Sequence, residues 1–250
     1  MTSENTRRNP GHGPAQDTTP TAGPNTDPSV DRKTRKVQRV WPLVSAFAVL
    51  VVAVLIGLLV MVRGAGNPLG FDTEWMDEII EHRSPVWEVP SLAMNYLGGG
   101  VIGVFIVPIV IIVALCLFRR FWAAIYFAVA TILSAGLVQL LKGIFGRARP
   151  EDILVHADFG SFPSGHVANA TTMAVVLAIV LRRSWVWVAG IVYVILMLLS
   201  RTYLGAHWLS DTFGGMLLGA GVAVIVWAPI ANRLYRENER PHSFALSSRS

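Results

Sequence analysis

Long apolar blocks, each roughly 18–27 residues and nearly free of Asp, Glu, Lys and Arg, recur along this 250-residue chain. A helix needs about 20 such residues to cross a bilayer, where no water can satisfy an exposed backbone. Six blocks fall at roughly 41–62, 92–118, 121–142, 164–182, 185–204 and 207–228. They predict an all-α integral membrane protein, a bundle of six transmembrane helices. Gly98-Gly99-Gly100 and Pro108 predict a tilt or kink in the second span. The composition agrees, with 53% of residues hydrophobic and 15% charged, where soluble domains carry about 25% charged residues. The single cysteine, Cys116, lies inside a block, so neither an internal disulfide nor a Cys-rich metal site is available.

The first block begins near Trp41 behind a long polar tail and has no clear small-residue cleavage site. It is expected to be a retained span, not a signal peptide. Residues 1 to about 31 are rich in Pro, Thr, Asn, Gly and Asp and are expected to be disordered. Arg32, Lys33, Arg35, Lys36 and Arg39 follow as a basic run. The expected organisation is a disordered cytoplasmic tail over 1–38, a membrane domain over 39–232 and a cytoplasmic C-terminal tail over 233–250.

A formal charge of +5 and a pI of about 9.8 could suggest nucleic acid. The distribution gives another reason. With the N-terminus in the cytoplasm, only six of the 21 basic residues fall outside: Arg63, Arg83, Lys142, Arg147, Arg149 and Arg201. That asymmetry is the positive-inside rule of a multi-pass protein of the plasma membrane with both termini cytoplasmic. No nucleic-acid partner is expected; the partner the charge pattern points to is the bilayer. Four of the six exceptions, Lys142, Arg147, Arg149 and Arg201, lie at the outer ends of spans three and five, so that face has a use for positive charge.

The first outer segment, about 64–91, is acidic, holding Asp72, Glu74, Asp77, Glu78, Glu81 and Glu88. Within "EWMDEIIEHR", Trp75, Met76, Ile79 and Ile80 recur at helical spacing. This predicts an amphipathic helix lying at the interface with Trp as an anchor; an ordinary acidic loop is the other reading.

Three outer stretches carry the chemistry: "LKGIFGRARPED" from Leu141, "SFPSGHVAN" from Ser161 and "SRTYLGAHWLSD" from Ser200. His207 and Asp211 are four apart and share a helix face. A carboxylate there can fix the imidazole tautomer and leave the other nitrogen as nucleophile or base. Asp211 alone is also what a helix start favours electrostatically. In Pro163-Ser164-Gly165-His166, Ser164 suits an N-cap, and Gly165 lets a ligand approach backbone N–H groups that bind anions. His166, just inside, could protonate a leaving oxygen; a plain cap with an interfacial histidine is the structural alternative. Lys142, Arg147, Arg149 and Arg201 suit phosphate oxygens, although one such residue alone would read as snorkelling to headgroups.

Lys142, six residues, Arg149-Pro150; Pro163-Ser164-Gly165-His166; Ser200-Arg201, five residues, His207, three residues, Asp211. In order and spacing this resembles the three-part signature of the type 2 phosphatidic acid phosphatase superfamily, which includes membrane lipid phosphatases and vanadium haloperoxidases. The motifs cover 142–211, and the six-span layout extends the resemblance to about 41–228. It implies that His207 takes the phosphoryl group, Asp211 orients it, and His166 protonates the leaving group. Lys142, Arg149, Arg201, Ser164 and Gly165 would bind the phosphate, with Arg147 and Pro163 supporting. No metal or other cofactor is expected. The implied function is a lipid phosphatase on the extracytoplasmic face, acting on polyprenyl (undecaprenyl) diphosphate, phosphatidate or phosphatidylglycerophosphate. A lipid phosphotransferase, a vanadate-dependent haloperoxidase and an inactive lipid-binding or transport protein are the alternatives. Transporters place broken helices and polar groups at the midplane, whereas the ionisable groups here cluster at span ends.

Overall fold

The computed structural model describes residues 28–64, 68–157 and 159–239, with side chains described from residue 42 onward. Two units are distinguished, Met1–Val37 and Gln38–Ser250. Of the first, residues 28–37 are helical, and the rest of the expected tail lies outside the described residues. The C-terminal tail likewise lies outside beyond residue 239, and 233–239 are helical.

Every regular element among the described residues is helical. In order they are α1 (Pro28–Gly64), α2 (Gly70–Glu81), α3 (Pro85–Gly98), a π-helical turn (Ile102–Ile106), α4 (Val107–Leu117), α5 (Phe121–Phe145), α6 (Gly165–Leu181), α7 (Ser184–Tyr203) and α8 (Leu209–Glu239). Four are long and apolar enough to cross a membrane: Pro42–Arg63 of α1, α5, α7 and α8. The pair Pro85–Gly98 and Ile102–Leu117, bent by 47°, makes a fifth if counted as one span. α6, at 17 residues, is a shorter apolar helix. The structure therefore gives four or five spans by length and composition where the sequence predicts six.

The expected kink is present, and its cause is the glycine run. Gly100 has a φ of +58°, a left-handed conformation open to glycine without strain. Pro108 lies inside the continuous helical run that the π-helical turn and α4 form, just after the Val107 N–H that reaches back five residues to the Ile102 carbonyl, and so past the bend itself. Asn169 of α6 spans the break, its Nδ2 donating to the carbonyls of Gly103 (2.9 Å) and Gly98 (3.3 Å).

α6 is the central helix, packed on α5, α7 and α8. Its approach to α8 is close because α8 offers glycines: a Cβ at Gly215 would lie 2.4 Å from the Ser164 carbonyl oxygen, and one at Gly219 2.4 Å from that of Ala168. Small residues that let backbones meet are how helices associate in lipid, where apolar burial gives little drive. One apolar core holds Tyr126, Phe127, Met173, Val176 and Val180; a second holds Leu141, Phe145, Phe162 and Leu218. Polar groups in the interior are paired. The Tyr126 hydroxyl donates to the Ala223 carbonyl at 2.8 Å, and Thr172 Oγ1 donates to Ser134 Oγ at 2.9 Å. Outward faces are apolar, with Leu55, Ile132 and Ile191 more than half exposed, as lipid contact requires.

One end of the bundle collects arginines. Arg119 and Arg182 form short links with positive φ (58° and 54°). Arg120 donates to the Val180 carbonyl at 3.0 Å, and the Arg233 guanidinium stacks 4.2 Å from the Trp122 ring centroid. Here Glu237, near the end of α8, caps the start of α5 across the bundle. Its carboxylate accepts from the Trp122 and Ala123 N–H groups at 2.8 and 3.1 Å. Orphan N–H groups at a helix start gain from such a partner. Glu237→Ala is expected to cost about 1 kcal/mol, the usual effect of losing a cap, read as a lower melting temperature in detergent.

α2 is the helix expected from its periodicity, and the loop reading falls. It packs against α7 and α8, and its buried residues are Met76 and, against expectation for an acidic helix, Asp72.

Candidate active site

The other end of the bundle brings together the C-terminal turns of α5 and α7 and the starts of α6 and α8. Loops 146–164 and 204–208 join there. The Leu154 N–H bonds the Leu204 carbonyl at 2.9 Å, and Arg83 donates to the Asp152 carbonyl at 2.8 Å. Together they wall a cavity of about 580 Å³. Lys142, Arg149, Gly165, His166, Arg201 and His207 all line it. Asp211, Arg147, Ser164 and Pro163 do not; they lie behind the wall.

His207 is 2% exposed. Its Nδ1 lies 2.8 Å from the carbonyl oxygen of Ser161. A carbonyl only accepts, so Nδ1 carries the proton and Nε2 keeps its lone pair. Nε2 faces Nη1 of Arg149 at 3.4 Å. The direct acceptor of Nδ1–H is the Ser161 carbonyl, and Asp211 Oδ2, expected to orient the ring, stands 3.7 Å from Nδ1. Burial pushes the His207 imidazole well below the usual histidine range, to about 4. The Asp211 carboxylate opposes that fall, and the Arg201 and Arg149 guanidiniums add to it. The ring is neutral at physiological pH, as a nitrogen nucleophile requires.

Asp211 is fully buried, and its carboxylate is held from three sides besides His207: by Arg147 Nη1 at 2.5 Å, by the Trp208 N–H at 2.8 Å and by the Ser161 hydroxyl. Arg147, which the sequence suggests as one more phosphate cation, turns away from the cavity. Its Nη2 pairs with Asp72 Oδ2 at 2.7 Å, and Nη1 also donates to Ser210 Oγ at 2.7 Å.

The cations that do line the cavity are positioned by backbone and by α3. Arg149 donates to the Ala206 carbonyl and, at 2.9 Å, to that of Gly160. Arg201, 2% exposed, donates through Nη1 to the Asn95 side-chain oxygen. The Asn95 carbonyl in turn lies 3.2 Å from Nε2 of His166. α3 is tied to α7 by Ser200 Oγ donating to the Ser91 carbonyl (2.7 Å) and by the Tyr203 hydroxyl donating to that of Ser84 (2.6 Å). Lys142 completes the cationic wall, 5% exposed in the last turn of α5.

Ser164 occupies the N-cap position of α6, but its hydroxyl makes no capping bond, and no partner for it occurs among the described residues. Its backbone does the positioning: the N–H donates to the Asp211 carbonyl at 2.9 Å. Pro163 follows a cis peptide bond. Asp72, Ser161, Asn95 and Gly99 are site residues the sequence did not single out. Of these, only Gly99 carries a signal in the sequence, through the glycine run, and that signal points to a kink.

Away from the ionisable groups the same cavity is apolar. Phe105, Ile109 and Ile112 line one wall and Ala128, Ile132 and Val138 the other. Along α5 it reaches from Lys142 to Ala128, roughly 21 Å at a rise of 1.5 Å per residue.

The PAP2 superfamily model matches residues 123–235. Phosphatidylglycerophosphatase B of Bacillus subtilis is 32% identical over 127 residues, 46% of this chain and 63% of that protein. Decaprenylphosphoryl-5-phosphoribose phosphatase of Mycobacterium tuberculosis is 33% identical over 138 residues, 53% of this chain and 75% of that protein. The chain spans less than two thirds of the length of the first curated relatives that it matches. Among solved structures, the transmembrane PAP2-type phosphatidylglycerolphosphate phosphatase of B. subtilis shares the fold with a TM-score of 0.65 at 21% identity, covering 81% of this chain and 99% of that one. The family match begins in α5 and ends in α8, so it contains every ionisable residue that lines the cavity, though not α3 or the glycine break after it, and on these grounds the chain belongs to the PAP2 superfamily.

Proposed function

We propose that this protein is a metal-independent membrane lipid phosphatase that works through a phosphohistidine on the extracytoplasmic face. The observation that carries the reading is one cavity with two chemistries: three cations and three imidazoles, those of His156, His166 and His207, in its polar part, and an apolar trough along α4 and α5. A phosphate headgroup matches the first and a hydrocarbon tail the second. The relatives, named as phosphatases of phospholipid and polyprenyl substrates, support the same class. Substrates to test are a polyprenyl diphosphate, phosphatidate and phosphatidylglycerophosphate.

In the first step His207 Nε2 attacks phosphorus, the N–P bond forms, and the bond to the lipid or phosphate leaving oxygen breaks in line. His166, protonated in the complex with the phosphate, gives that oxygen its proton and becomes neutral. Lys142, Arg149 and Arg201 hold the other phosphate oxygens, with the Gly165 N–H group at the start of α6 beside them. Water, losing a proton to His166, then attacks phosphorus, the N–P bond breaks, and inorganic phosphate leaves. The cations do the charge neutralisation that a divalent ion does in many phosphatases, and three of them in one wall would repel such an ion.

The membrane domain runs over 39–232 with six spans, the bent pair α3–α4 serving as one and α6 as another. Both tails face the cytoplasm. The arginine-rich end supports that orientation through the positive-inside rule, and α2 lies at the outer headgroup plane. Purified protein should release phosphate from at least one of the three lipids in excess chelator. No release from any of them would remove the reading.

A further inference from the structure

Asp72 is the one carboxylate of the acidic outer segment that is fully buried, and its partners lie far along the chain. Oδ1 accepts from the Ser210 N–H at 2.8 Å, and Oδ2 from the Ser210 hydroxyl and Arg147 Nη2, both at 2.7 Å. Arg147 reaches on to Asp211 Oδ1 at 2.5 Å, and Asp211 Oδ2 stands 3.7 Å from the His207 ring. A buried row of four groups results: Asp72, Arg147, Asp211, His207.

We infer that Asp72 is a positioning residue for phosphoryl transfer, which by sharing the Arg147 guanidinium keeps the charge of Asp211 available to the His207 ring. The inference rests on the phosphohistidine reading above. When Nε2 bonds phosphorus, positive charge develops on the imidazole, and a buried carboxylate beside Nδ1–H stabilises it. A guanidinium 2.5 Å from that carboxylate would by itself cancel most of this help. With Asp72 on its other edge, Arg147 divides its charge between two carboxylates, and the trio carries a net −1. The other ionisable groups lining the cavity, Arg149, Arg201, Lys142, His156 and His166, carry no negative charge, so this −1 is the counter-charge of the ring. Arg147 also fixes the carboxylate plane, and α2 delivers Asp72 through Met76, buried beside it on the same helix.

Asp72→Asn keeps the shape and the acceptor for Ser210 but removes the charge. Partners that act through a catalytic group typically matter by 10–100-fold. The expected result is a fall in kcat of about 10–100-fold with KM within about threefold, because no lipid-binding group is touched. The discriminating variant is Asp72→Asn with Arg147→Gln, which restores the net −1 and keeps an N–H for Asp211. It should regain at least about fivefold of the lost kcat. A residue that only anchored α2 would give the opposite order, since the double variant loses both ion pairs. Unchanged kcat in Asp72→Asn overturns the inference, as does a folded double variant no more active than Asp72→Asn. Should Asp72→Asn fail to fold, the double variant is compared with the native protein: activity within about tenfold supports the inference, and a folded, inactive double overturns it. A native protein that releases no phosphate from any lipid would instead sink the phosphatase reading itself.

Discussion

His207→Ala should release phosphate at least about 10⁴-fold more slowly than the native protein while binding lipid phosphate nearly as well. The size follows from what is removed. Without Nε2 there is no covalent path, and removing a nucleophile from a preorganised site costs rate on this scale even when every other group stays. Lys142, Arg149 and Arg201 remain to hold the phosphate, so KM should move little. The melting temperature should fall, because truncating a ring that is 2% exposed leaves a void and removes the partner of the Ser161 carbonyl, so rates are compared on folded protein. The native pH profile makes a second demand. Burial holds the free imidazole near 4, so Nε2 stays unprotonated as pH falls through 6.5 and is lost only toward 4. The acid limb of kcat/KM should therefore lie well below 6.5, once the second ionisation of the substrate phosphate, near 6, is measured separately and divided out. Full turnover by His207→Ala would end the phosphohistidine mechanism. An acid limb of the enzyme at 6.5 would say that the ring is not the buried neutral group described.

The helices were legible because each is a run of apolar side chains ended by charge, as with α5 between Arg120 and Lys142 and α7 between Arg183 and Arg201. The cavity-lining residues were legible for a related reason. Lys142, Arg149, His166, Arg201 and His207 are ionisable groups at the ends of such runs, where only function or snorkelling would keep them. The layer behind them was not. Six carboxylates crowd the outer segment, and nothing in their spacing says that Asp72 alone is buried; burial is decided by where α2 lands, a tertiary fact. Arg147 looks in sequence like Arg149 two positions on. The loop turns them to opposite sides, one guanidinium to the cavity and the other to two carboxylates. Ser161 acts partly through its carbonyl, which every residue possesses, so no sequence could have marked it. The same holds for Asn95, whose carbonyl meets His166.

Gly99→Ala should cost activity of about 10²–10³-fold while leaving the protein folded. A Cβ at position 99 would lie 2.1 Å from Nε2 of His166 and 2.3 Å from its Cε1, far inside contact distance. One of the two must give way. The backbone is the less free, because Asn169 ties the carbonyls of Gly98 and Gly103 to α6 and Ser200 ties Ser91 of α3 to α7. The imidazole, turning about two side-chain bonds, moves instead and loses its place at the Asn95 carbonyl. A general acid out of position forfeits about 10²–10⁴-fold, and an off-rotamer side chain costs stability of only about 1 kcal/mol. Gly100→Ala supplies the contrast. No atom lies within 4 Å of a Cβ there, but φ is +58°, so that variant should lose about 1 kcal/mol of stability through strain and less than about tenfold in kcat. Melting temperature and kcat measured on both variants separate the two effects. If Gly99→Ala turned over as fast as the native protein, His166 would not need the seat that the broken helix gives it, and the proton for the leaving oxygen would have to come from elsewhere.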